Sequence, residues 1–227
     1  SGQNRVLSSP LFPYVVQNAE DEEYSGANVL ARWTHVVDQD SDWSLQSYYN
    51  RFKLQDSTAN LSMDLVDVDF LNRFPLGQRN EVTWGIGYRF VTDDLQGNGF
   101  NLGFDPITRP TNLPNAFVQD QLTLVEDRLF FTVGTKLEHN SFTGFEIQPS
   151  ARMLWTPNRK HSMWGAISRA VRTPCRFDQN GYLTGQLMGF YPIGPDIYPV
   201  FPRVLGDPTL DSENVIAYEL GYRVQAT

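Results

Sequence analysis

A two-residue rhythm organises this chain. Leu129, Phe131, Val133, Thr135 and Leu137 alternate with Phe130, Thr132, Gly134, Lys136 and Glu138. Successive side chains of a strand point to opposite faces of a sheet, so one face here is greasy and the other mostly small or charged. Residues 81–91 repeat the split, with Val82, Trp84, Ile86, Tyr88 and Phe90 set against Thr83, Gly85, Gly87 and Arg89. It recurs less cleanly over 162–171. Near the end, Asn214, Ile216, Tyr218, Leu220, Tyr222 and Val224 oppose Val215, Ala217, Glu219, Gly221 and Arg223. Any half-buried antiparallel strand has this pattern.

Strand length narrows the choice. About nine candidates fall at 28–37, 43–55, 62–74, 81–91, 116–125, 129–139, 145–156, 162–172 and 214–223. A tilted strand needs about 9 to 11 residues to cross a bilayer, whereas strands of globular domains are commonly about 5 to 6. The connections at 39–41, 77–80, 126–128 and 157–160 are short, and those at 56–61, 92–115, 140–144 and 173–213 lie on the opposite rim. Bacterial barrels separate periplasmic turns from extracellular loops in this way. The pattern predicts an all-β fold, an antiparallel up-and-down meander forming a partial transmembrane β-barrel over 26–227, with 1–25 a leading loop. It leaves open a soluble β-sandwich that binds glycan or protein, because such domains also use short hairpin loops.

Composition changes this picture little. A mean hydropathy of −0.38 and 41% hydrophobic residues suit a soluble domain, but lumen and loop residues dilute the lipid-facing half of a barrel strand. No apolar run reaches the roughly 18 residues of a transmembrane helix, and a barrel needs none. A net charge of −8 argues against nucleic acid as a partner. Trp33, Trp43, Trp84, Trp155 and Trp164 fall on or beside candidate strands, where interfacial girdles place them and where sandwich cores also use them. Cys175 stands alone, so no internal disulfide forms, and it is expected to be an unpaired loop thiol.

Catalytic constellations are missing. His35, His139 and His161 lack metal-ligand spacing, and no nucleophile elbow or phosphate-binding loop occurs. Asp67 and Asp69 share a strand face and are expected to line a lumen, and Asp93 and Asp94 lack calcium-loop spacing. The chain is therefore expected to be no enzyme and to hold no cofactor or metal. The opening SGQNRVLSS has no signal region, and the chain stops just after a strand with an odd strand count, so it is expected to be cut from something larger.

Particular segments carry a resemblance. DLVDVDFLNRFPLGQRNEVTWGIGYRF at 64–90, AFVQDQLTLVEDRLFFTVGTKLEHNSFTGFEIQPSARMLWTPN at 116–158, WGAISRAVRTP at 164–174 and GDPTLDSENVIAYELGYR at 206–223 follow one another in a fixed order. In these the chain resembles TonB-dependent outer-membrane receptors from about Gly26 onward. That resemblance implies a place in the outer membrane of a Gram-negative bacterium and a share in a plugged barrel of about 22 strands. It also implies import of a scarce nutrient, with a ferric siderophore complex as the default cargo. The partners would be outer-membrane lipid, a small-molecule cargo such as a ferric chelate, and the TonB complex acting through a plug. Nothing in the chain resembles that plug, and about half a barrel is lacking, so the chain alone is expected not to transport. A damaged or abbreviated gene product is a third option.

Within that frame the residues divide by place. Pro149 fits only where a ladder hydrogen bond is absent. Gly85, Gly87, Gly134 and Gly221 make room on the inward face, and Arg89, Lys136, Arg152, Glu219 and Arg223 are expected to face a wet lumen. The loop 173–213 carries Arg176, Tyr182, Phe190, Tyr191, Tyr198, Phe201 and Arg203 among prolines and glycines. Arg172, Arg176, Tyr191, Tyr198, Phe201 and Arg203 are the candidate ligand contacts, since rings and guanidiniums suit an anionic, partly aromatic ferric chelate. The alternative is that the aromatics pack the loop onto itself.

Overall fold

The computed structural model describes the backbone of residues 2–11, 14–56 and 59–225, with side chains from Glu22 onward. Its strands are β1 (Gly2–Leu11), β2 (Tyr14–Val36), β3 (Asp42–Gln55), β4 (Ala59–Leu76), β5 (Asn80–Gly97), β6 (Leu102–Phe104), β7 (Thr108–Val125), β8 (Leu129–Asn140), β9 (Gly144–Asn158) and β10 (His161–Arg172). A short helix α1 (Arg176–Asn180) follows, then β11 (Gly181–Thr184), β12 (Gly189–Ile193), β13 (Asp196–Val200), β14 (Arg203–Leu205) and β15 (Glu213–Val224). Ten of these form one antiparallel sheet in the order β1-β2-β3-β4-β5-β7-β8-β9-β10-β15. It is an open meander, with β1 and β15 as its edges.

The register sorts the sequence alternation onto two faces. Trp33, Leu45, Phe70, Ile86, Ala116, Leu137 and Ile147 lie in one row across seven strands. Asp42, Arg73, Thr83, Gln119, Gly134, Ser150, Ser168 and Ala217 form a row on the other face. A one-residue slip would exchange the two sets, so this contrast fixes the pairing. Toward the short turns the apolar face carries an aromatic ladder. Trp33 and Trp43 meet at 4.8 Å, Trp43 and Phe70 at 6.1 Å, and Phe70 and Trp84 at 5.5 Å. Trp164 lies on the opposite face, stacked over Gly221, where a Cβ would fall about 2.0 Å from its ring.

No dry centre exists among the described residues. Ala59 is their one buried hydrophobic residue, while Val133 and Ile86 remain 48% and 55% exposed. The accessible surface is 15778 Å², against about 10,500 Å² expected for a compact protein of this mass. A single layer with two open faces accounts for the excess and overturns the sandwich reading.

Two expectations change at the loop end. The leading segment, expected as a loop, holds β1 and the first part of β2, paired from Gly2↔Glu23 to Leu11↔Tyr14. β3 reaches only to Gln55, opposite Glu23, so this hairpin runs on beyond it. Residues 2–23 carry no sustained period-two hydropathy, so the pattern does not predict this hairpin. β4, β5, β7 and β9 also run further than expected, so the connections at 56–58 and 141–143 are short. The long ones are 98–107 and 173–212.

Candidate functional site at the loop rim

The long connection after β10 is folded. β11 pairs with β14 and with β6, so that one sheet stitches 173–212 to the β5–β7 connection. Arg176, at the start of α1, is the main tie. Its Nε donates to Asp93 Oδ2 at 2.8 Å, Nη1 to Asn180 Oδ1 at 2.9 Å, and Nη2 to the Pro106 carbonyl at 2.7 Å. The Asp93 side chain is 6% exposed and that of Arg176 13%, so the pair is withdrawn from water. Arg109 reinforces it, donating its backbone N–H to Asp93, and Nη1 to Asn180 Oδ1, while its guanidinium lies 4.4 Å from the Phe142 ring centre.

Close backbone approach completes the tie. The Gly206 N–H donates to the Gly181 carbonyl at 2.7 Å, and the Asp207 N–H donates to that of Asp178 at 2.8 Å. A Cβ on Gly206 would sit 2.7 Å from the Gln179 carbonyl carbon and 2.8 Å from the Phe177 oxygen, so glycine is needed. The Cys175 backbone N–H, aided by its thiol, holds Asp178 below the usual carboxylate pKa. The Thr209 hydroxyl and N–H do the same for Asp207.

The six candidate contacts occupy different settings. Arg203 donates Nε to Thr184 Oγ1 at 3.1 Å and lies 4.8 Å from the Tyr182 ring centre. Phe201 packs edge-on against Phe100 at 5.0 Å. Arg172 bonds Glu213 at 3.0 Å but stays 67% exposed, beside a small cavity with Asp178 and Leu210. Tyr191 and Tyr198 face each other across the β12–β13 hairpin, 63% and 49% exposed. The structure thus brings Arg176 and Arg203 into loop packing and leaves the tyrosines at an open tip. The sequence reading considers Asp93 only for calcium-loop spacing and does not single out Arg109 or Asn180, since nothing in local spacing links the three to Arg176.

The polar face carries the other predicted residues. Arg89 pairs with Asp67 at 2.6 Å and Lys136 with Glu138 at 2.7 Å. The register sets Arg152 opposite Thr132 and Ala166, Glu219 opposite Ala166, and Arg223 opposite Ser162 on this face. The Phe117 ring occupies the space over Gly85.

The family described as TonB dependent receptor-like, beta-barrel matches residues 5–227. The chain belongs to this family. Among curated proteins none matches it. Solved structures agree in fold. The siderophore receptor PirA from Pseudomonas aeruginosa superimposes with a TM-score of 0.63 at 16% identity, over 98% of this chain and 42% of that one. PirA from Acinetobacter baumannii gives 0.63 at 13% identity, over 92% and 33%. A ferric enterobactin receptor variant (PfeA) from Pseudomonas aeruginosa, in complex with enterobactin, gives 0.64 at 16%, over 91% and 33%. The chain therefore spans less than half of each of these three receptors. The segments at 64–90 and 206–223 led one to expect this family.

Proposed function

We propose that this chain is part of the barrel of an outer-membrane receptor that imports a scarce nutrient, with a ferric siderophore complex as cargo. The family match over 5–227 carries the reading. Siderophore receptors among the similar structures support the cargo. In this reading the apolar row from Trp33 to Ile147 lies against lipid, and the polar row encloses a lumen. TonB acts through a plug supplied by the whole receptor, and the barrel performs no catalysis.

Cargo contact falls to the rim. Arg172, Tyr191 and Tyr198 present an exposed guanidinium and two exposed rings, a chemistry that takes up anionic, aromatic chelates through charge and stacking. Arg176, Phe201 and Arg203 contribute by holding the loop that presents them. The test is growth of a strain lacking the full-length receptor, complemented with it under iron limitation. Rescue by ferric siderophores is expected, and rescue restricted to a different scarce nutrient overturns the cargo. Tyr191→Ala with Tyr198→Ala should weaken cargo binding about tenfold, a stacking loss of order 1 kcal/mol, as read by equilibrium binding.

A further inference from the structure

The ladder between β9 and β10 stops short of its neighbours. β9 and β10 pair from His161↔Asn158 up to Ser168↔Ser150 and no further. β8–β9 continues to Asn140↔Gly144, and β10–β15 to Arg172↔Glu213. The ladder stops at Pro149, which has no N–H to give. Above it a polar seal replaces the missing rungs. Arg169 donates to the Ile147 carbonyl and the Asn214 side chain, with Glu146 at 3.7 Å. Ser212 binds Glu146 and Thr143 from the other side.

Beneath this seal lies a cavity of about 380 Å³, lined chiefly by Val133, Pro149, Ala151, Ile167, Arg169 and Ile216. That volume falls within the range of small-molecule sites, roughly 300–1,000 Å³. Val133, Ile167 and Ile216 are 48%, 44% and 61% exposed, and they belong to the same apolar face as Ile86 and Val118. We propose that the fissure is a lateral site for one acyl chain of an outer-leaflet lipid, its tail in the cavity and its head beside Arg169 and Asn214. This rests on the membrane reading above. Three features choose the occupant. The cavity is continuous with the apolar band, its walls are almost wholly hydrocarbon, and the polar cluster of Arg169, Glu146 and Asn214 stands at the end nearer the loops, where a polar headgroup would lie.

The full-length receptor, reconstituted with a phospholipid bearing a photoactivatable diazirine near its acyl terminus, provides the test. Labelling of Val133, Ala151 and Ile167 is expected to exceed that of Ile86 and Val118 several-fold. Ala151→Trp, which fills the cavity, and Pro149→Val, which restores a donor for β10, should each reduce it to that background. Heat-modifiable mobility verifies that both variants fold. Even labelling along the apolar face, or excess labelling untouched by either variant, overturns the site while keeping the membrane reading. Absence of label from the whole face overturns the membrane reading itself.

Discussion

Arg176 is separated from Asp93 by 83 positions, and much of the rim's order depends on that pair. Removing one partner of a buried ion pair strands the other, a loss of about 3 kcal/mol. Arg176→Ala should therefore free the loop without unfolding the wall, because the wall's ladders do not pass through it. Hydrogen exchange is the measurement: amides of 176–206 should lose protection while β8 and β9 keep theirs. Unchanged exchange in α1 and β11 would show the pair to be dispensable. Gly206→Ala should loosen the same segment, since its new methyl meets backbone rather than a flexible side-chain end. Sequence marked Arg176 as noteworthy but not for this role. An arginine among loop aromatics looks alike whether it awaits an anion or is already bonded, and a partner 83 positions away leaves no periodic trace.

Elements were far more legible, and the reason is geometric. Where one face meets lipid and the other water, hydropathy must alternate, so the wall strands showed themselves. At the loop ends of β4 and β5 the hydropathy no longer alternates, so the pattern predicts shorter strands there than the sheet contains. The aromatic ladder extends this logic to energetics. Trp43→Ala would remove ring contacts to Trp33, His35 and Phe70 at once, costing about 1–2 kcal/mol. A lower transition temperature in heat-modifiable mobility should report it. α1 adds a pH dependence. Asp178 has a folded pKa below its ordinary 3.8, so its bond to the Cys175 N–H stabilises the cap above that value and is lost as pH falls through the lower one. Resistance of the loop to an acid-active protease should hold from neutral pH to about 4 and decline below. Asp178→Asn should make that resistance weaker and level across the range.

At the scale of the whole molecule, a one-layer sheet has neither a core nor protected edges. Val29, Ile86, Tyr218 and Leu220 are 66%, 55%, 77% and 93% exposed, far more contiguous apolar surface than a soluble monomer tolerates. The chain by itself is thus expected to aggregate in plain buffer and to keep its strands only in detergent or lipid. Detergent satisfies the face but leaves the edges. β1 and β15 each present unpaired N–H and C=O groups along a full strand, a template for another sheet. Edge pairing between copies is a concentration-dependent equilibrium, whereas closure of β1 on β15 within one copy is not. Sedimentation in detergent separates them. Oligomers growing with protein concentration, at constant strand content by circular dichroism, are the expected outcome. A strictly monomeric particle at every concentration would mean that ten strands satisfy their own edges, and that this sheet is a wall complete in itself.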